Sequence, residues 1–168
     1  MQNGLGNIVQ SFFFSPKEPT SGGLIWGLGP VIQVPTATND LGLDQWGLGL
    51  TAVVLKQSNG WTFGALANQV WSVTGNDTYG QSSATFLQPF ISYGTPKGTT
   101  YGLNTEATYN WAASEWSVPI NATISQLVKI SGKPVQLTGG VRYWADSPDG
   151  GPTGWGARLG VTYLFPKG

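Results

Sequence analysis

The sequence predicts an all-β fold: a transmembrane, antiparallel, up-and-down β-barrel of eight strands, with a possible ninth strand in the N-terminal segment. Three observations carry that expectation. Apolar and polar residues alternate with period two along most of the chain, the pattern of strands with two unlike faces. Only 10% of residues are charged, against about 25% in an ordinary soluble domain. The aromatic residues, 8 Trp, 6 Tyr and 7 Phe, gather toward the ends of the alternating runs.

The 168 residues are expected to form a single domain, 1–168, in which residues 1–22 precede a meander over 23–168. In the N-terminal segment, Leu5 to Pro16 contains three consecutive phenylalanines, so its faces stay ambiguous. It is followed by the breaker-rich loop Pro16 to Gly23. Leu24, Trp26, Leu28, Pro30, Ile32 and Val34 then share one face. The loop from Pro35 to Gln45 carries Asp40 and Asp44, which are expected to be solvated. Trp46, Leu48, Leu50, Ala52 and Val54 form the next apolar row, and Gln57-Ser-Asn-Gly60 reads as a tight hairpin turn.

Trp61, Phe63, Ala65, Ala67, Trp71 and Val73 form a row interrupted by Gln69. After the loop Thr74 to Ser82, Leu87, Pro89, Ile91 and Tyr93 align, with a less polar opposite face that holds Phe86 and Phe90, and a turn at Gly94 to Gly98 follows. Tyr101, Leu103, Ala107, Tyr109 and Trp111 then oppose Asn104, Glu106, Thr108 and Asn110. A long strand holds Trp116, Val118, Ile120, Ala122, Ile124, Val128 and Ile130. After the turn Ser131 to Pro134 come Val135, Leu137, Val141 and Tyr143, then a polar loop from Ala145 to Gly154. The closing strand runs from Trp155 to Phe165. Pro30, Pro89 and Pro119 fall in mid-strand, where each removes a ladder donor, and bulges are expected there.

The apolar face is expected to point outward. The opposite face is mainly Gly, Ser, Thr, Asn and Gln, a poor soluble surface. An eight-stranded barrel is also too narrow to enclose many tryptophans. With successive strands alternating in direction, Trp46, Trp71, Tyr109, Trp111, Trp116, Tyr143 and Trp155 fall near one rim. Trp26, Trp61, Phe63, Tyr93, Tyr101, Tyr163 and Phe165 fall near the other. Two such girdles suit the two interfaces of a bilayer. From Trp61 to Trp71, at ~3.3 Å per residue and with strand tilt, the span is about 25 Å. Short turns at one rim and longer loops at the other fit a periplasmic and an outer side.

Composition excludes several functions. With no Cys there are no disulfides or thiol chemistry, and with no His there is no Ser-His-Asp triad. An enzyme is therefore not expected. Zero net charge argues against a nucleic-acid partner. No cofactor or metal is expected either, because Asp146-Ser-Pro-Asp-Gly-Gly lacks the EF-hand ligand spacing. Gly27-Leu-Gly29 and Gly47-Leu-Gly49 precede no helix and read as inward glycines of a narrow barrel, not phosphate loops. No apolar run is long enough for a transmembrane helix. Met1-Gln-Asn-Gly carries no secretory signal, so an exported protein would present here as a mature form or a fragment. The inward charges Glu106, Arg142, Arg158 and Lys129 are the candidates for selectivity, with Glu106 expected to pair with Arg142 or Arg158.

Several stretches resemble the MetA-pathway phenol-degradation family of outer-membrane proteins. They are Ser11 to Pro16, Gly29 to Asp40, Gly64 to Asn68, Ala84 to Phe90, Trp116 to Asn121 and Arg142 to Pro152. The resemblance covers nearly the whole chain. It implies location in a bacterial outer membrane and passage of small molecules, hydrophobic or aromatic ones among them. The lipid bilayer is then the first partner, and the barrel-assembly machinery would read the C-terminal strand. Family members usually carry further strands upstream. Either eight strands close and the first segment packs elsewhere, or an odd count leaves an edge to be covered by such upstream strands or by self-association with a second copy. A structural barrel with a plugged lumen and a soluble β-barrel binding protein are the alternatives.

Overall fold

The computed structural model describes residues 6–38, 45–74 and 83–165. Ten strand segments make one antiparallel sheet. They are β1 (Ile8–Ser11), β2 (Leu24–Val34), β3 (Gly47–Ser58), β4 (Trp61–Ser72) and β5 (Ser83–Gly94), followed by β6 (Thr99–Thr105), β7 (Ala107–Asn110), β8 (Glu115–Ile130), β9 (Lys133–Asp146) and β10 (Gly154–Tyr163). Apart from β6 and β7, which do not pair with each other, chain neighbours are sheet neighbours, which is the expected meander. Asp40 and Asp44 lie outside the described residues.

β6 and β7 are two halves of one strand. Both pair with β5 on one side and β8 on the other, without a change of register. The interruption falls at Glu106, where the register sets Pro89 of β5 opposite Thr105 and Pro119 of β8 opposite Glu106. Neither proline can donate to the ladder. What remains is a 3.3 Å bond from the Glu106 amide to the Pro119 carbonyl.

The expected bulges form at one of the three prolines. Val118 pairs with Asp146 and Pro119 with Trp144, so Ala145 is the extra residue. At Pro30 and Pro89 the register runs on, correcting that expectation. There the ladder loses a bond without gaining a residue.

The N-terminal ambiguity resolves in the same terms. β1 pairs with β2 from Ile8 opposite Val34 to Ser11 opposite Val31. The Phe12 amide donates to Pro30, which has no N–H to return, and the ladder resumes as a bridge between Phe14 and Leu28. Phe12 and Phe14 therefore share the face of Leu28 and Pro30, and Phe13 lies on the other. The segment is a ninth strand of the meander, counting β6 and β7 as one.

The two faces are buried in the reverse of the soluble order. Leu28, Leu50, Trp71, Ile124 and Leu159 stand exposed on one face, whereas Val31, Thr51, Asn121 and Ser125 are buried on the other. Among the described residues no second layer covers that buried face, so curvature must shield it. The sheet is concave on the side of the small and polar residues.

Glycine permits the curl. A Cβ on Gly49 would overlap the Gln69 carbonyl oxygen of β4, and one on Gly29 would overlap the Phe12 carbonyl oxygen. The turns are as the residues dictate: Asn59 and Gly60 take φ of 49° and 82°, and Ser131 and Gly132 take 52° and 77°. These are the positive angles of a two-residue hairpin.

Polar residues on the convex face satisfy one another. Thr85 donates to Gln69 and accepts from the Trp111 indole at 2.8 Å. Gln126 accepts from Thr99 and donates to the Lys97 and Leu127 carbonyls. The interruption at Gln69 is thus a paired polar site and not a break in the pattern.

Replacing Gly49 by Ala should cost about 1–3 kcal/mol by forcing β3 from β4. Gly139→Ala, where a Cβ meets nothing within 4 Å, should be near neutral. Tryptophan-monitored urea unfolding in detergent micelles checks the difference.

Candidate functional site

The chemistry of the concave face gathers at the interrupted strand. Residues 102, 104 and 106 alternate inward, so Glu106 leaves the ladder break on the concave side. Its Oε2 accepts from Arg142 Nη2 of β9, and its Oε1 accepts from Arg158 Nη1 of β10 at 3.1 Å. Sequence reasoning offered Arg142 or Arg158 as partner, and the structure brings both.

That reach also measures the curl. Arg158 is opposite Gly140, Gly140 opposite Thr123, and Thr123 opposite Gly102, four residues before Glu106. In a flat sheet the two positions would stand about 14 Å apart across the strands and about 13 Å apart along them. Two side chains standing off one face do not span that, so the strands must close toward each other there.

Arg142 is the better held of the two cations. Its Nε donates to Asn121 Oδ1 at 2.6 Å, and its guanidinium lies 5.5 Å from the centre of the Trp144 ring. Asn121 is 1% exposed, and its Nδ2 has no hydrogen-bond partner. Arg158, on β10, makes the longer of the two ion pairs and is about half exposed.

One carboxylate shared by two guanidiniums leaves the cluster one net positive charge. A surface of that kind attracts anions and holds three strands in fixed relation. Trp144 belongs to the site and was not singled out from the sequence, although its parity with Arg142 was available. Lys129 does not join the cluster. It sits exposed at the end of β8, opposite Pro134, next to a short turn.

The aromatic residues fall on the convex face in two groups. At one end Tyr109 packs against Trp111 and Trp116, both with centroids 4.9 Å away, and Tyr143 packs against Trp155 at 5.0 Å. Trp46 and Trp71 stand exposed at the same end. At the other end Trp61 lies 4.9 Å from Tyr93, with Trp26, Tyr101 and Tyr163 exposed around the rim. Phe165 is exposed just beyond the end of β10. Between the groups the face is mostly aliphatic, including Leu28, Leu50, Leu103 and Val141.

Asp146 and Asp149 are exposed, and Asp146 Oδ1 accepts from the Ser147 amide. The loop closes on itself, and among the described residues no group of three or more potential ligands could hold a metal ion.

The two ion pairs should differ in strength. A double-mutant cycle between Glu106 and Arg142 should give a coupling of about 1 kcal/mol or more. The cycle between Glu106 and Arg158 should give about 0.3 kcal/mol, because that pair is the more exposed. Unfolding midpoints of the single and double alanine variants measure both.

Searches against family models, curated proteins and solved structures find no match to this chain.

Proposed function

We propose that the chain forms the wall of a non-enzymatic bacterial outer-membrane β-barrel that acts as a pore or transporter for small molecules. One observation carries this: the sheet exposes large apolar side chains on the convex face, as two aromatic bands around an aliphatic belt, while polar Thr51, Asn121 and Ser125 are buried on the concave one. In water such a surface would drive association. In a bilayer it meets its own solvent, with aromatic side chains at the two interfaces. The resemblance to the MetA-pathway family supports the same assignment and points to hydrophobic or aromatic permeants. Dispersal of the purified protein without detergent would sink it.

The strand count bears on closure. Counting β6 and β7 as one, β1 and β10 run in the same direction, so a direct seam between them would be parallel. An antiparallel closure takes an odd number of further strands between them. An exposed strand edge is untenable in lipid, where each unpaired backbone group costs several kcal/mol.

A plugged barrel is the second reading, favoured by the ion pairs that tie Glu106 to β9 and β10 across the concave face. Planar-bilayer recording separates the two. An open pore conducts, and Glu106→Gln, which leaves two guanidiniums facing the path, raises its anion preference by about twofold or more at ~0.1 M salt. Absent conductance favours the plug, and unchanged ion preference in the variant makes the cluster structural.

A further inference from the structure

Zero net charge conceals a segregation of charge along the strand direction. At the end of the short turns lie Lys17, Lys56, Lys97, Lys129 and Lys133, with Glu18 as the single carboxylate among the described residues. At the opposite end lie Glu115, Asp146 and Asp149, with no cation among the described residues. Arg142 and Arg158 are held by Glu106 on the concave face. The lysine rim is therefore a band of positive charge with almost nothing to neutralise it.

The same rim borders a depression of about 730 Å³ whose lining is almost wholly apolar. Its floor lies where small residues, Ala65 and Pro89, replace bulky ones on the convex face. Leu24, Phe63 and Ile91 wall it toward the lysine rim, and Lys56 lines its mouth. The Lys56 stem passes near Gly23, where a Cβ would stand 3.8 Å from its Cε. No ion pair holds the ammonium group among the described residues.

An apolar trough with a cation at the water-facing end has the shape and charge order of one lipid: an acyl chain beneath an anionic headgroup. We infer that the trough binds an anionic phospholipid of the leaflet at the short-turn rim, its chain along Ala65 and Pro89 and its phosphate on Lys56. The neighbouring lysines add long-range attraction. The acidic rim would repel the same headgroup, so the charge order also favours one orientation across an asymmetric bilayer. This inference rests on the membrane assignment above.

Reconstitution into phosphatidylcholine vesicles doped with brominated phosphatidylglycerol tests it, with tryptophan quenching as the readout of lipid occupancy. Wild-type protein should prefer phosphatidylglycerol over phosphatidylcholine by about threefold to fivefold at low salt. Lys56→Gln should bring the ratio close to one, Lys56→Arg should keep it, and Asp146→Asn at the far rim should leave it unchanged. Equal affinity for the two lipids in wild-type protein, or a preference that survives Lys56→Gln, overturns the inference while leaving the membrane assignment intact. Failure of the protein to float with the vesicles overturns both.

Discussion

The structure depends on one constraint: a single-layer sheet must bury a face without a second layer to cover it. Curvature is the available solution, and glycines on the inner face let neighbouring strands approach closely. Gly29, Gly49, Gly64 and Gly140 stand where a Cβ would overlap the backbone of a neighbouring strand. Most of the Trp and Leu side chains stand on the convex face, whereas Phe86, Phe90 and Trp144 fill space on the concave one. The inverted polarity of the sheet and its glycine content are therefore one property. Lipid is the environment in which that property carries no penalty, because the hydrophobic effect that would hide the convex face is absent there.

Backbone satisfaction sets the second tier. Pro30, Pro89 and Pro119 each remove a donor, and the structure answers differently at each. At Pro30 the ladder lapses for two phenylalanines and resumes. At Pro119 a bulge absorbs the mismatch on the β9 side. Between Pro89 and Pro119, β6 and β7 part at Glu106, and the side chain at that gap is the carboxylate that takes both inward arginines. A weakened wall and a charged group thus coincide. The two arginine contacts run from the residue at the break to β9 and β10, so they tie the weakened position to the strands beyond β8.

Much of this was legible in the sequence because the signal has period two and every strand repeats it. Eight runs of alternating residues gave the strands, their faces and the two aromatic groups, and Asn59-Gly60 marked its turn. What was not legible depended on register, which no single strand encodes. Phe12 to Phe14 show no alternation of their own, and only pairing with Pro30 and Leu28 assigns their faces. Arg142 and Arg158 sit on different strands from Glu106, and the alternation shows only that all three point inward. Their convergence needs the curl, which comes from contacts between strands. Lys129 shares their parity but lies at the rim, because parity fixes a face and not a height.

Height along the strand axis orders the charges as well as the aromatic groups. Moving down from the acidic loops, the convex face passes through Trp and Tyr, an aliphatic belt and a second aromatic band before it meets the lysines. A symmetric bilayer would reward the two aromatic bands equally and would give no reason for opposite charges at the rims. An asymmetric one does, since its leaflets differ in headgroup chemistry and a basic rim gains near anionic headgroups what an acidic rim loses. The folded sheet thus carries a direction as well as a depth. Lys56 is the point where the two meet, because among the described rim lysines it is the one that lines the apolar trough.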